Sequence, residues 1–216
     1  MIHFRDVWAG KNGNRPDDYL LKGISCDFLP GRHLGILFDS VSAYNCFFQT
    51  LCGITFPDSG KIIRRGSVSW PIGWQGVFNR NLTVWENLNF IAAAQGADPA
   101  RVRKFVSDFT GLGNMLAKKF GDCPGAAKAK FAFAAPCAIP FDFYLGSNAL
   151  TAGEKKFHAK CKKLIRFMLK RHTFIVMTDT PGNLKSFSDT LLALHDGRLY
   201  QADSLEDLKV VHGKSL

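Results

Sequence analysis

The stretch His33-Leu34-Gly35-Ile36-Leu37-Phe38-Asp39-Ser40-Val41-Ser42-Ala43-Tyr44-Asn45-Cys46-Phe47-Phe48-Gln49-Thr50-Leu51-Cys52-Gly53 decides the fold. Its first six residues form a continuous apolar run of strand length, suited to the centre of a sheet covered on both faces. Asp39-Ser40-Val41-Ser42 is polar and reads as a loop. Cys46 to Cys52 then has the apolar density of a buried helix, which Gly53 ends because glycine adopts the left-handed closing conformation without a Cβ clash. Strand, loop and helix in this order open an α/β domain.

Working outward, Ile24-Ser25-Cys26-Asp27-Phe28-Leu29 alternates like a half-buried strand, and Pro30-Gly31 is the turn into the apolar run. On the other side, Pro57 to Lys61 is a turn into Lys61-Ile62-Ile63. Ser67-Val68-Ser69-Trp70 follows, and together they read as a small β region. Thr83-Val84-Trp85-Glu86 has capping-box spacing, so a helix should run from Val84 towards Gln95. Asp98-Pro99 opens another, with Val102, Phe105, Val106 and Phe109 on one face. Ala126 to Ala135 reads as an Ala-rich helix ending before Pro136. Phe141 to Leu145 and Thr173 to Thr178 read as strands flanking an amphipathic helix that carries Phe157, Cys161, Leu164, Ile165, Met168 and Leu169. Thr190 to Leu194 and Arg198 to Gln201 form a hairpin through His195-Asp196-Gly197.

The 216 residues, 46% hydrophobic and 12% aromatic, suffice for a real core and exclude disorder as the main state. A net charge of +10 biases the chain towards an anionic partner or surface. No apolar h-region opens the chain and no run of about 18 apolar residues occurs, so a cytoplasmic location is expected. Six cysteines lie scattered without a CxxC pair or a Cys/His cluster, which disfavours zinc and a disulfide framework and leaves idle thiols.

From Met1 to about Leu208 the order of elements resembles the ATP-binding cassette (ABC) subunits of capsular-polysaccharide exporters. The residues that carry the resemblance are Pro57-Asp58-Ser59-Gly60-Lys61-Ile62, Ser69-Trp70-Pro71-Ile72-Gly73, Leu82-Thr83 with Glu86-Asn87, and Phe141-Asp142-Phe143-Tyr144. The Trp-Pro-x-Gly segment is the most specific of them. The resemblance implies an α/β fold of the ABC, P-loop-NTPase-like type over residues 1–216 as one domain. It has an N-terminal antiparallel β region and a helical subdomain at about 80–140. It also implies a chain without the extra carbohydrate-binding domain of O-antigen-type relatives.

An active cassette needs GxxxxGK[ST], in which glycines let backbone amides wrap the phosphates, the lysine reaches them and the hydroxyl holds magnesium. In the resemblance Asp39, Ser40, Val41, Ser42, Ala43, Tyr44, Asn45 and Cys46 occupy that loop. Phe38 and Ala43 stand at the motif glycines, Tyr44 at the lysine and Asn45 at the hydroxyl; Val41 takes a further glycine position. Asp39 would repel phosphate unless it points away. Ser147 and Asn148 fall at the Walker B Asp and the catalytic Glu, Asn79 at the Q-loop Gln, Asp179 at the switch His, and Lys11 at the adenine-stacking aromatic. Pro124-Gly125-Ala126-Ala127-Lys128 takes the place of the signature segment and lacks its serine. No other GxxxxGK[ST] occurs in the chain.

Lys155, Lys156, Lys160, Lys162, Lys163, Arg166, Lys170 and Arg171, with Glu154 the only acid, form a basic helix. It reads as a solvated face, or as a contact for nucleic acid, anionic lipid or polyanionic polysaccharide. Trp70, Trp74, Trp85 and Phe78 read as packing in preference to a stacking surface. His158, His172, His195 and His212 have no ligand spacing, and Ser147 has no Gly-x-Ser-x-Gly context. The preferred expectation is a degenerate cassette, with no catalytic residue, no metal and no cofactor, although the resembling family uses ATP and magnesium. Its expected partners are a membrane-spanning export permease and another cassette, as homodimer or heterodimer, at the inner face of the cell membrane. An ATP-hydrolysing exporter subunit with an unusual site is the first alternative. A basic nucleic-acid module is the second and less favoured.

Overall fold

A computed structural model describes residues 1–11, 15–146, 150, 152–180, 184, 186–204 and 206–208. Two sheets organise them. Strands β1 (Ile2–Ala9), β2 (Leu21–Phe28) and β4 (Ser59–Arg64) form an antiparallel sheet in the order β2-β1-β4. Strands β3 (Leu34–Phe38), β5 (Phe143–Gly146), β6 (Thr173–Thr178), β7 (Thr190–His195) and β8 (Arg198–Ala202) form the second sheet in the order β5-β6-β3-β7-β8. All but β8 run parallel.

Leu34–Phe38, the apolar run without its first residue His33, is the middle strand and is buried at every position. Its neighbours alternate between two cores, as the period of two requires. Ile36, Phe38, Phe143, Ile175 and Met177 face helix α1 (Val41–Cys52) and the antiparallel sheet. Leu37, Tyr144, Phe174 and Val176 face a layer built from α2 (Val84–Ala94), α3 (Pro99–Thr110), α4 (Gly125–Cys137) and α5 (Lys155–Leu169). Two further 3-10 turns, Gly113–Ala117 and Phe120–Asp122, link α3 to α4. The antiparallel sheet's register is pinned at Gly60 (φ +83°), where a Cβ would lie 2.0 Å from the Asp6 carbonyl oxygen, so only glycine fits. The hairpin turn uses positive φ at Asp196 (46°) and Gly197 (73°), the geometry its Asp-Gly signal predicts.

Three expectations change. Helix α1 starts at Val41 and not near Cys46, because Ser40 caps it; the loop before it is Asp39-Ser40 alone. Ser67–Trp70 is not part of the antiparallel sheet. It lies along the outer edge of β5, with a parallel bridge from Val68 to Phe143 and the Ser69 and Ile72 amides donating to Phe143 and Leu145. Finally, α4 runs through Pro136 to Cys137. Proline supplies no N–H to the Ala132 carbonyl, which accepts the Gly73 amide at 3.2 Å instead, so the helix keeps its course. The basic helix spans Lys155–Leu169, with Glu154 at its N-cap and Arg171 just beyond it.

Candidate functional site

The candidate site lies where β3 ends. Phe38 is buried with its ring edge-on to Tyr44 (5.4 Å) and Phe47 (5.5 Å). Two residues later Ser40, in an extended conformation, caps α1: its Oγ accepts the Ala43 amide at 3.1 Å and its carbonyl accepts the Tyr44 amide at 3.0 Å. A serine at this position satisfies amides that a helix start otherwise leaves open. Only the amides of Val41 and Ser42 stay outside this pattern. Val41 is 74% exposed, whereas Ala43 and Cys46 are buried and Asn45 faces solvent.

Asp39 does not point outward. Its Oδ2 accepts the Asp196 amide at 2.9 Å and lies 3.2 Å from His195 Nδ1, so the carboxylate is folded onto the β7–β8 turn. The neighbouring Asp196 carboxylate meets Lys22 Nζ at 2.7 Å, and this buried ammonium holds the Asp196 carboxyl below the usual range. On the other flank of α1, Tyr44, Asn45, Phe48, Pro71, Gly73 and Trp74 line a cleft of about 270 Å3, with Phe48 and Trp74 edge-on at 5.5 Å. Burial pushes the Tyr44 hydroxyl's pKa up, so the residue is a neutral ring at the position that the resemblance matches to a lysine.

A scan against protein-family models matched none. The chain is 29% identical over 206 residues to ATP-binding protein BexA of Haemophilus influenzae, covering 95% of each chain. It is 29% identical over 187 residues to the capsule polysaccharide export ATP-binding protein CtrD of Neisseria meningitidis, covering 87% of each. The polysialic acid transport ATP-binding protein KpsT of Escherichia coli is 26% identical over 176 residues, covering 81% of this chain and 79% of that one. The chain is homologous to the ATP-binding proteins of capsule-polysaccharide ABC exporters. Among solved structures, an ATP-binding subunit of an ABC transporter superposes with a TM-score of 0.80 at 15% identity, covering 99% and 100% of the two chains. The ABC transporter cassette MJ0796, solved as a dimer, gives 0.74 at 18% identity, covering 95% and 99%. The fold is therefore the mixed α/β ABC-ATPase type, with an N-terminal antiparallel sheet and helical insertions.

Asn79 is exposed at the head of α2, where its Oδ1 accepts the Asn81 amide at 2.9 Å. Asp179 is exposed just past β6, and the Lys11 amide donates to Asp58. Gly125 opens α4, and Lys128 turns back to the Gly121 carbonyl at 2.7 Å. Ser147, Asn148 and His212 lie outside the described residues. Trp70 packs edge-on to Phe78 and Phe141, as the packing interpretation of that aromatic group expects, while Trp74 is exposed beside the cleft. All six cysteines are free. Burial raises the pKa of each thiol, to about 11 at Cys26 and about 12 at Cys52, and so favours the protonated form of each.

One site residue was read only as a mark of resemblance. Asn87 is buried on α2; its Oδ1 accepts the Asn79 amide at 2.8 Å, and its Nδ2 donates to the Asn79 and Thr83 carbonyls at 3.0 Å each. It fixes the segment 79–83 that enters the helical layer. The signal was available, since a polar residue on the apolar face of a capped helix needs internal partners.

Proposed function

We propose that the chain is a cassette subunit of a capsule or surface polysaccharide export system that does not hydrolyse ATP, and that it acts as a structural or regulatory partner of an active cassette and its membrane permease. One observation carries this: the two-residue link between β3 and α1, with the Ala43 and Tyr44 amides both given to Ser40. A phosphate loop needs a longer glycine-containing turn with its amides open to the ligand. The residues present do not fit a triphosphate and its magnesium ion, because a tyrosine ring and an exposed asparagine stand where a cation and a hydroxyl would be required. Losing even one such transition-state contact typically lowers a rate by about 10² to 10³, and here several are replaced together.

The family of the matched relatives supports the export context, and the dimeric form of a solved cassette of the same fold supports pairing with a second cassette. No described helix is long and apolar enough to cross a membrane, so attachment to the inner face of the cell membrane would pass through the permease. The test is calorimetry of the full chain with millimolar magnesium ATP, alongside phosphate release. No saturable heat and no release are expected. Phosphate release above background would overturn the proposal and restore the interpretation of an unusual ATPase, and saturable binding below about 100 μM, which is about 5.5 kcal/mol of affinity, would overturn the closed-site argument and make the chain a nucleotide sensor or a weak ATPase.

A further inference from the structure

The two edges of the parallel sheet differ. At β5 the chain covers its own edge: the Ser69 and Ile72 amides donate to the Phe143 and Leu145 carbonyls at 2.9 Å each. At the other end of the sheet, β8 has only β7 as a partner. Asp196-Gly197 is a two-residue turn, so His195 and Arg198 form the closing hydrogen-bonded pair, and the register alternates from there through Ala193 with Tyr200 and Leu191 with Ala202. Arg198, Tyr200 and Ala202 therefore direct their main-chain groups to β7. Those of Leu199 and Gln201 point outward, and no main-chain partner meets them among the described residues.

That edge forms one wall of a groove whose other wall is β2, a terminal strand of the antiparallel sheet. The two strands meet where the Lys22 amide donates to the Gly197 carbonyl at 2.8 Å. Beyond that point they enclose two adjoining cavities of about 310 and 270 Å3, which share Ser25 and Leu199. Residues 22–27 line one side in an unbroken run and residues 198–201 the other, while Leu34 and Leu192 add an apolar floor to the second cavity. Four charged side chains lie along the groove. Lys22 is paired with Asp196 and Asp27 with Arg5. Arg198 in the first cavity and Arg32 in the second pair with no carboxylate among the described residues.

We propose that this groove binds an extended peptide strand of a partner protein, added to the sheet beside β8, with apolar side chains at alternate positions and acidic residues at its ends. The open edge selects a polypeptide, because donors and acceptors repeating at strand spacing are matched by another strand. From Arg198 to Gln201 the edge runs about 10 Å, enough for a short strand, and the leucines receive its alternate side chains. The two unpaired guanidiniums favour acids at both ends. Residues 209–216 of this chain carry two lysines and no acid, and a second copy of β8 would bring a further arginine, so neither matches those ends. The proposal goes beyond the cassette function and stands on the groove between β2 and β8 alone, so a nucleotide-binding result leaves it untouched.

The test uses the full chain and fluorescence anisotropy with a labelled peptide, Glu-Val-Thr-Val-Thr-Val-Glu, expected to saturate below about 100 μM. Methylating alternate peptide amides, in each of the two possible frames, should weaken binding about 30-fold in the frame that faces β8, where two main-chain bonds are lost. Gln201→Pro should weaken it at least as much and leave the fold intact by circular dichroism, since that amide points away from β7. Replacing Arg32 and Arg198 with Glu should weaken it about tenfold and let the Lys-ended peptide bind instead. The exposed Arg103→Glu should change binding less than about twofold. No saturation below about 1 mM, equal binding of both methylated peptides and the parent, unchanged binding by folded Gln201→Pro, or equal binding of the Lys-ended peptide to the unaltered chain would each overturn the proposal. So would a dimer, seen by sedimentation, that Gln201→Pro abolishes, since a second copy would then hold the edge.

Discussion

Replacing Ala43, Tyr44 and Asn45 with Gly, Lys and Ser restores the second glycine, the lysine and the hydroxyl of the motif, with Phe38 and Val41 unchanged, and leaves the backbone to decide whether a phosphate loop can form. Ala43→Gly removes a buried methyl and adds chain freedom in the first turn of α1, about 1 kcal/mol. Tyr44→Lys loses the edge-on contact with Phe38, about 1 kcal/mol, and most of the burial of its ring, about 1 kcal/mol more. Asn45 is exposed, so Ser there is nearly neutral. A loss of about 3 kcal/mol lowers the Tm by roughly 6–12 °C in a chain of this length. Binding would still have to unwind the first turn, giving up the Ser40 cap and the Tyr44 amide bond at about 1 kcal/mol each. That opening weakens any affinity by about 30-fold. Thermal unfolding followed by circular dichroism and calorimetry with magnesium ATP measure the two sides. A triple variant with micromolar ATP affinity and an unchanged Tm would refute the reasoning, because side chains alone would then have closed the site.

Ser40→Ala should cost about 1 kcal/mol by loss of the N-cap, and Ser40→Asp should recover most of it; urea unfolding of the pair distinguishes a cap from an idle surface serine. Asn87→Leu should cost about 3 kcal/mol, since the Asn79 amide and the Asn79 and Thr83 carbonyls lose their partner, and a change under about 1 kcal/mol would show that water replaces it. Asp27, held at about 2 first by Arg5 and then by His3 against 3.8 unfolded, contributes stability that is present above pH 4 and is lost as pH falls through about 2. The stability difference between the chain and Asp27→Asn should therefore shrink between pH 5 and pH 2, and a constant difference would contradict the linkage.

The fold was legible where one physical rule dominates. Leu34–Phe38 is apolar throughout because both faces of β3 are covered, and the Thr83–Glu86 box announced α2 through two reciprocal bonds of 3.1 and 2.7 Å. Asp196-Gly197 announced its hairpin. Legibility failed where two environments share one composition. Val41-Ser42 looks like loop, yet a preceding serine cap is enough to hold it in a helix whose core side lies further on. Ser67–Trp70 alternates like any edge strand, and nothing local says which sheet edge it joins. At the candidate site the residue types were readable, but the length of the link was not. It is set by the Ser40 cap, and it accompanies a bond from Asp39 to a turn 157 residues away along the chain.

The bond between Gly73 and the Ala132 carbonyl reaches from the strand-side segment into the middle of α4. It makes that amide a reporter of relative motion within the cassette. Deuterium enters at Gly73 only when the contact parts, so its exchange rate relative to the neighbouring amides of α4 measures how often the helical layer lifts from the edge of the parallel sheet. Any partner that clamps the layer in place would slow that single amide first.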